Sequence, residues 1–420
     1  MTLTSPARRL RVHRAWFVAA VAFVAILGAA GFRATPGVLI NPLQEEFGWS
    51  KGAISLAVSV NLVLYGLTAP FAAALMDRFG MRRVVALALL LVAVGSGLTV
   101  WMTATWHLLL LWGVFVGLGT GSMALVFAAT LAGRWFVRHR GLVTGVLTAA
   151  GATGQLIFLP VLAQLAHGPG WRVASLAVAG SALAVVPFVW WLLRDRPEDV
   201  GTTALGADPD APPTPVPTGN AAVRALTVLR SAARTRPFWY LAGGFAICGA
   251  STNGLVSTHF IPAAHDHGMA EPMAAGLLAV IGIFDIVGTV MSGWLSDRVD
   301  PRLLLGAYYA LRGLSLMVLP GLFAATPEPS MLVFIVFYGL DWVATVPPTM
   351  ALCRRIYGAD GAVVFGWVFG SHQVGAALAA VGAGLARDQL GAYDLAWYGA
   401  GALCLAAAGM SLAIRHAGNR

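Results

Sequence analysis

Apolar runs and short polar breaks alternate along this chain from one end to the other. Runs bounded by charged or turn residues fall at 15–40, 54–76, 84–103, 107–131, 141–166 and 173–193, then at 238–262, 274–295, 303–323, 330–351, 361–386 and 393–414. About 20 apolar residues in a helix cover the roughly 30 Å of a bilayer's hydrocarbon, so twelve transmembrane helices are expected. The first run is too long for a cleaved signal and lacks a small-residue cleavage site followed by a soluble chain. The longest break, 194–236, is rich in Pro, Gly and Thr in its middle and reads as a flexible linker. Its end, 221–236, is amphipathic and basic, which suits a short helix on the membrane surface. The linker divides the chain into an N-terminal six-helix bundle (1–193), a cytoplasmic linker (194–236) and a C-terminal six-helix bundle (237–420).

Composition supports the membrane reading. Of 420 residues, 58% are hydrophobic and only 11% charged, with mean hydropathy +0.76. Soluble domains carry about a quarter charged residues. The net charge of +9 does not indicate nucleic acid, because the charges sit in short loops and form no continuous basic face. Cys248, Cys353 and Cys404 show neither disulfide nor metal spacing. The "HDH" at 265–267 resembles a metal clip only superficially, and neither a metal nor a cofactor is expected. Twenty-six of the 27 basic residues are Arg, and 49 residues are Gly, which points to a GC-rich bacterial genome.

Twenty-two of the 27 basic residues lie at the termini or in loops on the same side as the termini, and three (Lys51, Arg172, Arg387) on the other. The positive-inside rule then makes both termini cytoplasmic. The remaining two, Arg33 and Arg312, fall inside spans.

The halves echo each other. "ALMDRFGMRR" (74–83) follows the second span, and "GWLSDRVDPR" (293–302) follows the eighth. Asp-Arg at the same place in each half indicates an internal duplication, as in transporters built from two related bundles. On these residues the chain resembles the major facilitator superfamily. Asp77, Arg78, Gly80, Arg82 and Arg83 match its signature loop, with Ala73 where the family has its first glycine. Gly293, Asp297 and Arg298 repeat the loop, with Asp300 in place of the last glycine. "RWFVRHRGLVTGVLTAAGATGQ" (134–155) resembles the fifth-helix motif of the monocarboxylate porter group, on Trp135, Phe136, Arg138, Arg140, Leu142, Gly145, Ala150, Gly151 and Gly154. "RDRPEDVG" after the sixth span is similar to that group too. Two departures stand out. Gly37 follows Pro36 where animal members have a Lys, and Thr289 lies four residues after Asp285 where they have an Arg.

The resemblance implies an all-α fold of twelve transmembrane helices in two pseudo-symmetric six-helix halves around a central cavity, with the first helix lining it. A charge at mid-membrane costs roughly 2.5–3.5 kcal/mol on insertion scales, so such residues face the bundle interior. Arg33 is a candidate anchor for a substrate carboxylate through two parallel hydrogen bonds; an arginine snorkelling to headgroups is the plainer account. Asp285 is a candidate proton carrier; a fixed partner of Arg312, or a bond to a buried hydroxyl, is the plainer account. Arg312 and Asp341 read as a structural ion pair. His372, Asn253, Tyr65 and Gln155 are further candidate substrate contacts, and a satisfied core residue is the plainer reading of His372. Gly113, Gly117 and Gly121, four apart in the fourth helix, permit close helix approach. Pro36 and Pro347-Pro348 are expected to bend helices, at mirrored gates or equally as ordinary static kinks.

No Walker sequence or nucleophile–base set appears, so neither ATP-driven transport nor an enzyme is expected. The expected function is secondary transport by alternating access, with a proton as coupling ion and a small organic anion such as a monocarboxylate as substrate. The alternatives are an exporter of neutral or amphipathic molecules and a non-transporting membrane sensor. The partners are the substrate, the proton and the bilayer, with no nucleic acid, and the chain is expected to act as a monomer in a bacterial inner membrane.

Overall fold

The computed structural model describes residues 13–123, 125–208 and 219–414. The side chains of 31–38, Arg33 among them, lie outside the described set, as do those of a few other helical positions. The described chain is helical throughout, with a single isolated bridge between Phe136 and Leu205.

The first six spanning helices are α1 (Arg14–Phe47), α2 (Lys51–Phe79), α3 (Met81–Leu98), α4 (Thr105–Trp135), α5 (Arg140–His167) and α6 (Trp171–Leu192). A linker helix, Ala221–Ala232, follows. The second six are α7 (236–266), α8 (Glu271–Ser296), α9 (Pro301–Val318), α10 (Pro329–Asp341, resuming as Val346–Tyr357), α11 (Gly361–Leu390) and α12 (Asp394–Ala413).

Local chemistry sets the ends. Ser50 Oγ accepts the Ala53 N–H at 3.2 Å to start α2, and Asn220 Oδ1 accepts the Ala222 N–H at 2.8 Å to start the linker helix. Asp300 accepts the Arg302 N–H at 3.0 Å, with Pro301 in the first turn of α9. Gly48, at φ +66°, closes α1 by donating to the Gln44 carbonyl at 3.0 Å. The helix α1 therefore continues seven residues past the end of its apolar run.

Two helices contain π turns, Leu109–Val116 in α4 and Ala250–Val256 in α7. Two are interrupted at corresponding places in the two halves. In α4 the run Gly117–Ser122 stops at Met123, and in α10 helix gives way over 342–345. Pro347 and Pro348 sit in the first turn after that second break, where a missing N–H costs nothing. The bend expected at the prolines thus lies just before them.

Large apolar side chains on the outer surface remain exposed, such as Leu87, Trp191, Val333 and Leu403. An apolar coat of this kind belongs against lipid. Nine described helical stretches are long and apolar enough to cross a membrane, and one of them, Pro329–Leu390, comprises both α10 and α11. Inside, the first six helices share a core around Val18, Leu89, Trp112 and Trp135. A second core joins the halves at the end that carries the termini. There Ala69, Ala72 and Ala73 of α2 meet Phe365 and Phe369 of α11 and Ala225 and Val228 of the linker helix.

Candidate functional site

Between the halves lies a cavity of ≈ 980 Å³, walled by α1, α2, α4 and α5 from one side and α7, α8, α10 and α11 from the other. Met123 and Trp342–Val343, at the two helix interruptions, are part of its wall. Discontinuous helices at matching positions of two repeats are a pointer to a transporter's binding site.

The polar residues facing this space include Asn61, Tyr65, Thr148, Gln155, Asn253, Asp285, His372 and Gln373. Tyr65, Gln155, Asn253, Asp285 and His372, singled out in the sequence, are thus brought to one cavity. Arg33 lies in α1, but its side chain is outside the described residues. None of the described residues that line the cavity is Lys or Arg.

Asp285 is 4% exposed. Its Oδ1 accepts from Thr289 Oγ1 at 2.8 Å and from the Val343 N–H at 3.1 Å. The second donor is available because the α10 helix is interrupted there, and its usual acceptor, the Gly339 carbonyl, takes the Trp342 N–H instead. Thr289, a departure from the family pattern, serves as a neutral donor one turn along α8. His372 lies between Phe245 (ring centroids 5.0 Å) and Phe369 (6.0 Å). Tyr65 meets Phe369 edge to face at 5.3 Å, so α2 and α11 touch at the cavity floor. Asn253 is carried by the π turn of α7, a feature frequent at functional sites.

Arg312 is fully buried, and its Nε meets Asp341 Oδ2 at 2.6 Å. One Nη donates to the Asp341 carbonyl at 2.5 Å and the Trp342 carbonyl at 3.1 Å, and the other to Cys248 Sγ at 3.1 Å. The pair sits behind the cavity wall.

At the end that carries the termini the halves touch backbone to backbone. A Cβ on Gly145 would meet the Thr289 carbonyl at 2.6 Å, and one on Gly293 the Gly141 carbonyl at 2.4 Å. In both resemblance motifs a glycine is therefore required by the neighbouring half. Asp297 accepts the N–H groups of Gly141 (2.7 Å) and Leu142 (3.0 Å), a carboxylate at the N-terminus of α5 supplied by the other half. Asp77 plays a different part. It binds Arg134 at 2.8 Å and Arg224 of the linker helix, and Arg224 also reaches Asp360 at 2.7 Å, just before α11. Arg78 donates to the Gly219 carbonyl. Gly80 has φ +89°, and its missing side chain makes room for Asp195, which accepts the Arg82 N–H at 2.7 Å. Arg82 also lies over the Trp190 ring, Arg298 over Trp294, and Arg83 is exposed.

Arg224 and Asp195 escape a reading of the sequence, since each looks like one more charge in a polar linker. The basic amphipathic pattern of 221–236 announced a helix but not its partner. At the far end of the bundle, ion pairs stay within each half: Glu46 with Arg172 (2.5 Å) and Asp266 with Arg387 (2.7 Å). Asp266, the middle of the "HDH" triplet, is thus engaged by arginine, and no metal-binding cluster occurs among the described residues. Leu62, Leu159 and Leu378, which line the outer reach of the cavity, remain 51%, 43% and 70% exposed. The cavity is shut at the terminal end and reached from the opposite one.

Comparison with known proteins agrees with this architecture. The family model described as Major Facilitator Superfamily matches residues 21–380. The uncharacterized MFS-type transporter YcxA of Bacillus subtilis is 27% identical over 417 residues, covering 95% of this chain and 94% of the relative. Monocarboxylate transporter 13 of Rattus norvegicus is 28% identical over 96% of this chain and 89% of its own. Monocarboxylate transporter 11 of Homo sapiens is 29% identical over 93% and 80%. Among solved structures, the E. coli fucose:proton symporter FucP superposes with TM-score 0.69 at 16% identity, covering 95% of this chain and 98% of that one. The proton:xylose symporter XylE gives 0.67 at 15%, covering 94% of each.

Proposed function

The chain belongs to the Major Facilitator Superfamily and is a multi-pass membrane transporter; from that premise we propose that it couples proton movement to transport of a small organic anion of the monocarboxylate class. The observation that carries this reading is Asp285, a buried carboxyl lining the cavity shared by the halves. An ionisable group inside a membrane span is costly and belongs to a functional path. The names of relatives (monocarboxylate transporters) and of fold neighbours (proton symporters) support the same reading. Arg33 on α1 is the proposed anchor for the substrate carboxylate, and Tyr65, Gln155, Asn253 and His372 its further contacts.

Alternating access follows from two-ended contact. Opening the terminal end requires Asp297 to leave α5 and Arg224 to release Asp77 or Asp360, while the far ends close over the substrate. The excess of basic residues supports a cytoplasmic terminal end in a bacterial cell, and on that reading the cavity faces outward. One observation favours a second reading, export of neutral or amphipathic molecules: the described cavity lining holds no Lys or Arg and is rich in leucine.

The test is uptake by the purified full chain in liposomes, with radiolabelled short-chain and aromatic monocarboxylates and an imposed pH gradient. Accumulation above equilibrium that is lost in Asp285→Asn, with exchange retained, supports the proposal. Gradient-independent flux, or flux of uncharged amphipathic probes alone, refutes it.

A further inference from the structure

The interruption of α10 is held by side chains from three other helices. Its carbonyls at Asp341 and Trp342 accept from Arg312 of α9 at 2.5 and 3.1 Å. The Ala344 carbonyl accepts from Ser292 of α8 at 2.5 Å. Thr345 Oγ1 contacts Cys248 Sγ of α7 at 3.2 Å. The Val343 N–H donates to the Asp285 carboxylate at 3.1 Å. Irregular backbone at membrane depth survives only where its polar groups are answered in this way. The α8 and α10 backbones are also in direct register, since a Cβ on Gly288 would meet the Leu340 carbonyl at 1.9 Å.

We infer that Arg312, Asp341 and Ser292 are positioning residues for Asp285: by clamping the carbonyls on either side, they aim the Val343 N–H at its carboxylate and make the α10 interruption a joint whose stiffness follows the charge on Asp285. An ionised carboxylate is a stronger acceptor for that N–H than a protonated one. Proton uptake at Asp285 therefore loosens the joint, and the adjacent cavity wall at Trp342 and Val343 moves with it. The buried Arg312–Asp341 pair is otherwise a poor source of stability, because desolvation offsets its Coulomb energy. Its contacts to two backbone carbonyls give it a use that a hydrophobic pair would not have. The inference rests on the proposed role of Asp285 as proton carrier.

The titratable and charged groups around Asp285 are His372 on α11 and Tyr65 on α2 across the cavity, and Arg312, Asp341 and Cys248 behind the joint. The side chain of Arg33 on α1 lies outside the described residues.

Hydrogen exchange of the 339–347 backbone, read by mass spectrometry on the full chain across a pH series from 4 to 9 and corrected for intrinsic rates, tests this without a known substrate. The wild type is expected to show a step of at least threefold in protection of this segment with pH. The step is expected to vanish in Asp285→Asn and persist in His372→Gln. In Arg312→Lys, which keeps a charge opposite Asp341 but loses the two-carbonyl grip, the step is expected to vanish while Met331–Tyr338 stays protected. Ser292→Ala, which touches no charge, is expected to shrink it. A step that persists in both Arg312→Lys and Ser292→Ala overturns the inference. So does its absence from the wild type, or loss of protection along the whole of α9 and α10, which would make Arg312 merely structural. If Asp285→Asn abolishes the step yet gradient-driven uptake is normal, the joint stands and the proposed coupling role falls.

Discussion

Asp297, the residue that follows α8, and Gly141 of α5 come from opposite halves, 156 residues apart, and are joined by a hydrogen bond of 2.7 Å from the Gly141 N–H to the carboxylate. The carboxylate thereby caps a helix of the other half, as a side chain ordinarily caps its own. In Asp297→Ala that cap is lost only when the terminal end is closed. Caps of this kind contribute about 0.5–2 kcal/mol, so the ratio of open to closed terminal end is expected to rise about two- to thirtyfold. Spin-label distances between the starts of α5 and α11 measure it. An unchanged distance distribution counts against the cap.

A glycine pair in α5 provides an internal control. Gly145→Ala places a methyl 2.6 Å from the Thr289 carbonyl, whereas Gly151→Ala meets nothing within 4 Å. Overpacking costs about 1–3 kcal/mol. Labelling of a cysteine introduced at the terminal end is expected to accelerate in Gly145→Ala and stay at the wild-type rate in Gly151→Ala. Equal rates in the two variants would show that α5 and α8 do not gate this end.

Removing one member of the buried pair leaves the other charge unanswered. Arg312→Met is expected to destabilise the protein by about 3–5 kcal/mol, and the double change with Asp341→Leu by much less. Thermal unfolding in detergent compares the three proteins. A double variant as unstable as the single one would show that the backbone contacts, not the charge, dominate.

The far end supplies a pH dependence. Hydrogen bonds from Arg172 and then Trp171 hold the Glu46 carboxyl below its ordinary 4.5. A carboxyl lowered in the folded state adds stability that is present above the unfolded value and lost as pH falls through the folded one. The melting temperature should therefore be level above about pH 5 and decline below 4.5, with a smaller decline in Glu46→Gln. The pair is half exposed, so the effect is small and weakens further with salt. A pH-independent difference between the two proteins would rule this out.

For Arg33, Arg33→Gln is expected to weaken binding of a monocarboxylate by about 1.5–3 kcal/mol, or ten- to a hundredfold. Arg33→Lys should restore little, because an ammonium cannot reproduce the two-pronged contact. Isothermal titration gives both values, and wild-type affinity in Arg33→Gln removes this residue from the site.

Much of this architecture was legible in the sequence because the bilayer imposes a length on every apolar run. The spans and the polar residues within them, Asp285, Asn253 and His372, came from that constraint, and the internal repeat from the two Asp-Arg loops. Helix ends did not, since α1 runs to Phe47 on hydrogen bonds that hydropathy does not register. The prolines at 347 and 348 marked the interruption of α10 but displaced it, because proline also suits the start of a helix. The sequence read Arg312 and Asp341 as a pair, and the helix packing joins them, leaving Asp285 to Thr289 and the Val343 N–H. Arg224 carried no local mark at all, as its two partners lie 147 and 136 residues away.

Arg224 also changes what the segment between the halves is. Joined covalently to both bundles, it meets Asp77 and Asp360 as a tethered ligand, at an effective concentration fixed by chain length and independent of how much protein the membrane holds. Closure of this end is therefore unimolecular and needs no partner. In halves produced as separate chains, the Asp297 cap and the Arg224 bridge between Asp77 and Asp360 would both form only on association, and closure would become concentration-dependent.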